Sequence, residues 1–361
     1  MKKIVKFTAI SLISVLLIWG LYFYIIKQLD EKIVESADYQ ALDKNSGASA
    51  VMLQSQFIDG ERFYLKVAVV GGDTILAYCD TGGGISMLFP NYDKNPAVNS
   101  KIKKALMKGL MPINYITFND LVMDDNFPTT TPLRKRILRN PFKIVTTPYL
   151  LIPPLDRELK MATKIQPEIG AFMGQDFFMN KSWTIDYPQQ KVWVHTPINI
   201  SEKDSANIQK IGFKKNKNQD NIFGHPSMTI EVEGDTIDVL FDTGATSVLT
   251  ESGKQQFATT KKSIGSSFIA ASIFRKWRAK YPDWKYYPKA EFLGDMIEVP
   301  KVKIGSYEVG PVLFSQRPDE NWSQGMIATM DKVVQGAIGG SVLKYFKVTI
   351  DYNSELIRFE R

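Results

Sequence analysis

The chain has 361 residues, of which 44% are hydrophobic and 12% aromatic, a composition typical of a folded protein with room for two domains. The single cysteine, Cys79, excludes an internal disulfide bond, and one cysteine with two histidines leaves too few ligands for a zinc or iron site. We therefore expect no metal and no cofactor.

The formal net charge is +7, and basic residues cluster at residues 101–108, 134–143 and 210–217. Acidic residues are interspersed elsewhere and no nucleic-acid-binding motif is present, so we expect no nucleic-acid partner. Attraction to an anionic membrane surface is a simpler explanation of the positive charge.

The N-terminal segment predicts a membrane anchor. Residues 7–26 run for twenty residues without a charge, enough to span a hydrocarbon core of roughly 30 Å as a helix. Lysines precede this segment, which places residues 1–6 in the cytoplasm and the rest of the chain outside it. Residues 27–47 form a polar tether. A cleaved signal peptide, with secretion of the chain, is the alternative.

An internal repeat decides the organisation of the chain. A Gly-Asp-Thr-Ile segment at residues 72–75 recurs at residues 234–237, and each copy is followed after four residues by Asp-Thr-Gly, starting at Asp80 and Asp242. Both segments are offset by the same 162 positions (234 − 72 and 242 − 80). An equal offset at two motifs indicates a tandem duplication.

A second repeated block lies downstream of each Asp-Thr-Gly. Two apolar residues and a glycine end at Gly174 and Gly339, and a Thr-Ile-Asp-Tyr segment begins ten residues after each glycine. The aspartate precedes this glycine by 94 residues in the first half (174 − 80) and by 97 in the second (339 − 242). We therefore predict lobe 1 at residues 48–197, a linker at 198–207 and lobe 2 at 208–361.

Each half is predicted to consist mostly of strands. Residues rich in β-formers lead into each Asp-Thr-Gly at 74–79 and 237–241, and a hairpin is expected around residues 59–60. Short helices are expected at residues 99–108 and 267–280. No β-α-β alternation is present, so we do not expect a Rossmann-like sheet.

The two aspartates point to acid–base chemistry. Two carboxyl groups within hydrogen-bonding distance share a proton, so that Asp80 and Asp242 together supply a base and an acid. Such a pair activates water for attack on a peptide carbonyl without a metal or a covalent intermediate. The neighbouring residues are expected to support the turns: Thr81 and Gly82 in the first, and Thr243, Gly244 and Thr246 in the second.

These motifs resemble the pepsin-like and retropepsin-like aspartic protease superfamily, and the resemblance spans both lobes. The segment from Phe241 to Thr246 matches the family pattern of an apolar residue, Asp-Thr-Gly and small residues. The apolar-apolar-Gly elements ending at Gly174 and Gly339 match its second element.

The resemblance implies that Asp80 and Asp242 are catalytic, that Thr81 and Thr243 brace the turns, and that a flexible hairpin covers the cleft. It also implies an all-β, bilobal fold of two similar, barrel-like lobes with short helices, which in this chain would follow the one predicted N-terminal transmembrane helix. The candidate hairpins are residues 111–123 in lobe 1 and 286–296 in lobe 2.

Lobe 1 departs from the family pattern, because Gly83 and Gly84 stand where small side chains, often with a hydroxyl, are expected. Our leading hypothesis is an aspartic endopeptidase that is active as a monomer and cleaves polypeptides. The alternative is a catalytically inactive, membrane-tethered peptide-binding protein of the same fold. A third hypothesis pairs each lobe with its copy in a second chain. Asp176 aligns with Ser341 and is therefore not expected to be a paired feature.

Overall fold

The computed structural model describes residues 17–22, 24–29, 32, 49–89, 95–107, 111–133, 137–140, 143–154, 169–200 and 202–361. Strands dominate these residues, helices are short, and the strands form two similar halves. The predicted bilobal, mainly β architecture is therefore confirmed in its coarse form.

The strands of the first half are β1 (Val51–Leu53), β2 (Ser55–Ile58), β3 (Arg62–Ala68), β4 (Thr74–Cys79), β5 (Met87–Leu88), β6 (Lys103–Met107), β7 (Met111–Thr117), β8 (Leu138–Asn140), β9 (Lys143–Ile144), β10 (Tyr149–Ile152), β11 (Ile169–Met173), β12 (Ser182–Asp186) and β13 (Lys191–Val194). Strands β2 to β11 build one sheet in the order β2-β3-β4-β11-β5-β10-β7-β6-β8-β9.

The strands of the second half are β14 (Ile208–Lys210), β15 (Ser227–Val232), β16 (Asp235–Phe241), β17 (Thr246–Val248), β18 (Ser263–Gly265), β19 (Ser267–Ala270), β20 (Tyr286–Glu291), β21 (Gly294–Val299), β22 (Val302–Ile304), β23 (Tyr307–Val309), β24 (Val312–Arg317), β25 (Gly336–Ile338), β26 (Lys347–Asp351) and β27 (Leu356–Glu360). Their main sheet has the order β20-β21-β24-β19-β25-β16-β15-β22-β23, and β17 pairs with β18.

From residue 49 onward, the helices among the described residues are α1 (Pro96–Asn99), α2 (Phe118–Leu121), α3 (Gln175–Phe178), α4 (Glu251–Gln256), α5 (Ala271–Lys280) and α6 (Gly340–Leu343). Short 3₁₀ helices lie at Glu202–Asn207 and Met326–Ala328, and a π-helical turn lies at Asn321–Gly325. The first 3₁₀ helix lies within the predicted linker.

The two main sheets share one strand arrangement around the Asp-Thr-Gly turns. Strand β4 pairs in parallel with β11, which pairs antiparallel with β5. Strand β16 likewise pairs in parallel with β25, which pairs antiparallel with β19. The repeated glycines Gly72, before β4, and Gly234, before β16, each lie in a hairpin turn. Their φ angles are +85° and +82°, a conformation that favours glycine. The duplication therefore preserves both the turn and the strand that leads to the aspartate.

A third sheet joins the halves, with the strand order β1-β13-β12-β26-β27-β14. Its central strands, β12 and β26, carry the two Thr-Ile-Asp segments and pair antiparallel, with Thr184 opposite Thr349. The hydroxyls of these two threonines are 2.9 Å apart. This pair marks the local twofold relation between the halves.

One apolar core runs through both halves and the joining sheet. It includes Leu65, Trp183, Phe314 and Val348, all without exposed surface. Burying each such side chain contributes about 1.5–3 kcal/mol to stability. The halves therefore share a core rather than folding around separate ones.

Both helix predictions differ from the structure. Residues 99–108 were expected to be helical, but α1 ends at Asn99 and Lys103–Met107 form strand β6, which pairs with β7. Lysine, alanine, leucine and methionine are good helix formers, but pairing within the sheet outweighs that propensity. The helix expected at residues 267–280 begins only at Ala271, because β19 occupies Ser267–Ala270. The hairpin at residues 59–60 is confirmed by the pairing of β2 with β3.

The predicted N-terminal segments lie mainly outside the described residues. This holds for residues 1–6, for residues 7–16 and 23 of the predicted membrane span, and for all of the tether except residues 27–29 and 32. In the part of the chain that is described, no helix is both long and apolar enough to cross a membrane.

Candidate active site

The two aspartates occupy equivalent positions at the ends of β4 and β16. The backbone N–H of Asp80 donates to the carbonyl oxygen of Met173 at 2.9 Å, and that of Asp242 donates to Ile338 at 2.9 Å. Met173 and Ile338 are the second apolar residues of the two apolar-apolar-Gly elements. Each element therefore fixes the backbone from which one aspartate side chain extends.

The threonines of the two turns bind each other's backbone. The Thr81 hydroxyl donates to the carbonyl oxygen of Phe241 at 2.7 Å and accepts from the Thr243 N–H at 3.0 Å. The Thr243 hydroxyl donates to the backbone carbonyl oxygen of Cys79 at 3.0 Å and accepts from the Thr81 N–H at 3.1 Å. Both threonines are fully buried. These four bonds hold the two turns face to face within one chain, without a second copy.

The glycines of the turns allow the carboxyl groups to approach. A Cβ atom at Gly82 would lie 2.5 Å from Cγ of Asp242, and one at Gly244 would lie 2.1 Å from Cγ of Asp80. Each glycine therefore packs against the carboxyl group of the opposite lobe. Any side chain at either position would push the aspartates apart.

The carboxyl groups of Asp80 and Asp242 meet between the two turns. Burial, the neighbouring charge of Asp242 and hydrogen bonding between the two carboxyl groups hold the pKa of Asp80 well above its usual value. Burial also raises the pKa of Asp242, but the hydrogen bond from Asp80 and the backbone N–H groups of Gly244 and Ala245 oppose the rise. The pair therefore carries one shared proton over a pH range in which isolated carboxyl groups are both ionised.

The glycines after Asp80 have a structural cause. A Cβ atom at Gly83 would lie 2.3 Å from Cζ of Phe172 and 3.0 Å from Cγ of Asp80. Phe172 stands at the repeat position that holds Ala337 in lobe 2. Its ring therefore fills the space that a side chain at position 83 needs.

A buried serine supports each apolar-apolar-Gly element. The Ser86 hydroxyl accepts from the Gly174 N–H at 3.0 Å and donates to Oδ1 of Asp176 at 2.6 Å. In lobe 2, the Ser267 hydroxyl accepts from the Gly339 N–H at 3.1 Å and lies 2.9 Å from the Ser341 hydroxyl. Asp176 has no acidic counterpart in lobe 2, but Asp176 and Ser341 each bind the supporting serine of their own lobe. Burial raises the pKa of Asp176 to about 6.

Three side chains that sequence reasoning did not select cross from one lobe to the turn of the other. Tyr78 donates from its hydroxyl to the carbonyl oxygen of Gly244 at 2.8 Å and lies 3.0 Å from the hydroxyl of Thr246. Arg62 Nη1 lies 3.5 Å from the same hydroxyl. His225 Nε2 lies 2.8 Å from the carbonyl oxygen of Gly83.

One sequence signal was available for Tyr78. The duplication aligns it with Leu240 (240 − 78 = 162), so a phenol replaces an apolar side chain next to an aspartate. Arg62 and His225 lack a comparable signal, because the lengths of the loops around them are not repeated.

Equivalent hairpins lie in the main sheets of the two lobes. Strands β6 and β7 pair in lobe 1, and β20 and β21 pair in lobe 2. The candidate range 286–296 covers the turn of the second hairpin. The candidate range 111–123 contains only the second strand of the first hairpin, followed by α2, and residues 108–110 lie outside the described part of the chain.

Neither Cys79 nor the acidic residues in the described part of the chain indicate a second site. Burial raises the pKa of the Cys79 thiol well above its usual value, which disfavours the reactive thiolate. Within the described ranges, histidine, cysteine and acidic side chains form no group that could hold a metal ion.

No family model and no curated protein matches the chain. Among solved structures, it is similar to an aspartic proteinase from Irpex lacteus, with 11% identity over 86% of this chain and 97% of that chain, and a TM-score of 0.43. It is also similar to conglutin gamma, a basic 7S globulin from lupine seeds (10% identity, 87% of this chain, 95% of that chain, TM-score 0.45). Basic 7S globulin from soybean has 7% identity over the same shares and a TM-score of 0.45. Identities and TM-scores this low decide neither the family nor the activity.

Proposed function

We propose that the chain is an aspartic endopeptidase that hydrolyses peptide bonds in polypeptides. The observation that carries this proposal is the meeting of Asp80 and Asp242, one from each lobe, in two turns that the reciprocal bonds of Thr81 and Thr243 hold together. Four hydrogen bonds between the threonines and the opposite backbone, beside two aspartates with raised pKa values, favour a reactive site over an incidental contact.

The mechanism follows from the shared proton. The ionised carboxylate takes a proton from a water molecule as the water oxygen attacks the carbonyl carbon of the peptide bond. The protonated carboxyl group gives its proton to the carbonyl oxygen, which produces a tetrahedral diol. The carbon–nitrogen bond then breaks, the nitrogen receives the proton taken from water, and the diol returns a proton to the pair. The products are a carboxylic acid and an amine, and the pair regains its starting state.

Peptide cleavage by the full-length chain in a mild detergent tests the proposal. A mixed peptide library is incubated between about pH 3 and pH 8, the range that brackets a carboxyl pair. Asp80→Asn and Asp242→Asn are each expected to abolish cleavage, because one carboxyl group cannot act as both acid and base.

Asp186→Asn is the matched control. Asp186 is also buried, and its Oδ1 accepts the Gln189 N–H at 2.9 Å, remote from the pair in sequence and role. This variant is expected to keep its activity. A folded wild-type chain that binds peptides but cuts none, with binding unchanged in Asp80→Asn, would favour the inactive peptide-binding protein instead.

For the location, we propose from the sequence that residues 7–26 anchor the chain and that both lobes lie outside the cytoplasm. The charge distribution around this segment supports the orientation. N-terminal sequencing of the mature protein distinguishes an anchor, which keeps Met1 or Lys2, from a cleaved signal peptide, which begins after the apolar segment.

A further inference from the structure

The two aspartates are chemically equivalent in the repeat but not in their surroundings. The hydroxyl of Tyr78, from lobe 1, reaches the carbonyl oxygen of Gly244 in the turn of Asp242. The corresponding residue of lobe 2 is Leu240, which has no hydroxyl to offer the turn of Asp80. The turn of Asp242 therefore receives a hydrogen bond from lobe 1 that the equivalent residue of lobe 2 cannot make to the turn of Asp80.

This bond fixes a peptide group that touches Asp242. The carbonyl of Gly244 and the N–H of Ala245 belong to one planar peptide unit, so a bond to the oxygen also orients the hydrogen. The N–H of Ala245 donates to the backbone carbonyl oxygen of Asp242 at 3.4 Å and also acts on the Asp242 carboxyl group, lowering its pKa, while the N–H of Gly244 donates directly to Oδ1 of Asp242 at 3.0 Å. Donors aimed at a carboxylate stabilise its ionised form.

The position of Tyr78 is itself restrained. Its ring packs against Tyr64 at 5.3 Å and Phe172 at 6.2 Å between ring centroids. The hydroxyl of Thr246 lies 3.0 Å from the Tyr78 hydroxyl and donates to the same Gly244 oxygen at 2.9 Å. Two hydroxyls therefore hold one carbonyl oxygen, and both belong to side chains with little freedom to turn.

We propose that Tyr78 is a positioning residue that makes Asp242 the ionised, water-activating member of the pair and Asp80 the protonated member. This inference rests on the proposed function for its role in catalysis, but the order in which the aspartates ionise can be measured without cleavage.

Other ionisable groups act on the same atoms. Asp80, Arg317 and Tyr187 act on Asp242. Arg62, Asp80 and Tyr64 act on Tyr78. All of them are unchanged in Tyr78→Phe, which removes one hydroxyl and keeps the ring, so a shift in that variant reports the hydroxyl alone.

The first measurement is the pH dependence of kcat/KM for Tyr78→Phe in the full-length chain. The acidic limb, which reports ionisation of the pair in the free enzyme, is expected to move up by roughly 0.5 to 1 pH unit, the equivalent of one lost hydrogen bond. On that limb kcat falls roughly 3- to 10-fold while KM is unchanged. Tyr64→Phe, which removes a neighbouring hydroxyl from the same aromatic cluster, is the matched control and is expected to leave the limb in place. An unmoved limb in Tyr78→Phe overturns the proposal.

The second measurement is carboxyl carbon NMR of the chain labelled at aspartate, with Asp80→Asn and Asp242→Asn used to assign the two signals. Asp242 is expected to ionise at the lower pH, and its titration is expected to move up in Tyr78→Phe. If Asp80 ionises first, the inference is wrong. If the chain cuts no peptide but the Asp242 signal shifts as expected, the positioning role stands and the proposed function fails.

Discussion

Replacing Asp176 with asparagine tests how a buried carboxyl group beside the active site sets the pH dependence of stability. Asp176 is 2% exposed, and its Oδ1 accepts both the N–H of Ser86 at 2.8 Å and the Ser86 hydroxyl at 2.6 Å. Asparagine keeps an oxygen that can accept both bonds. Asp176→Asn therefore removes the ionisation of this group and keeps its main contacts.

The expected magnitude follows from the pKa. Burial raises the pKa of Asp176 from 3.8 to about 6, which corresponds to about 3 kcal/mol of free energy of unfolding. Because the pKa is higher in the folded protein, this stabilisation is complete below pH 3.8 and is lost as the pH rises through about 6. As the pH rises from about 3.5 to 7.5, the wild type loses this contribution and Asp176→Asn does not. The free energy of unfolding of Asp176→Asn should therefore rise by about 3 kcal/mol relative to that of the wild type over this range.

Urea unfolding of the full-length chain across this pH range measures the difference. Ser341→Ala is the matched control, because Ser341 binds the supporting serine of lobe 2 but has no ionisable group. Its cost is expected to be about 1–2 kcal/mol at every pH. A stability difference for Asp176→Asn that is independent of pH, or that decreases as the pH rises, would refute the reasoning.

The remaining predictions concern the two turns. Thr81→Val should destabilise the chain by about 2–4 kcal/mol, because it leaves the buried N–H of Thr243 and the buried carbonyl oxygen of Phe241 unpaired. Thr81→Ser keeps the hydroxyl and should cost about 1 kcal/mol, and urea unfolding midpoints of the two variants measure the difference. Gly244→Ala should abolish peptide cleavage because its Cβ would displace Asp80, while Gly234→Ala, whose Cβ meets nothing within 4 Å, should cost only about 1 kcal/mol of stability; retained cleavage in Gly244→Ala would contradict this. Gly83→Ser should lower stability by about 1–3 kcal/mol, and combining it with Phe172→Ala should cost less than the sum of the two changes; additive costs would show that the ring does not fill the space.

The sequence predicts the parts of the fold that the duplication repeats. The same spacing relates β4 to β16 and relates the aspartate and threonine that follow each strand. Because the pattern occurs twice, a chance match explains it poorly. The structure brings these residues together as the repeat implies. Comparing residue types between the halves does not reveal the common role of Asp176 and Ser341, because different side chains bind the supporting serine in the two lobes.

What the sequence does not predict depends on contacts between distant residues. The run at residues 103–107 has good helix formers, and only its partner strand makes it part of a sheet. The Gly83 position resembles a defect until Phe172 is seen beside it. The contact of Tyr78 with Gly244 joins residues 166 positions apart, which local pattern cannot indicate.

The central pairing of β12 with β26 also has an evolutionary consequence. A dimer of identical lobes must carry every substitution twice, once in each copy. When both halves lie in one polypeptide, a mutation changes one side alone, while the pairing of β12 with β26 still holds the two halves together. Two differences between equivalent positions of the repeat are of this kind: tyrosine at 78 where lobe 2 has leucine at 240, and phenylalanine at 172 where lobe 2 has alanine at 337. Covalent linkage thus frees each lobe to specialise while the shared core keeps the two in register.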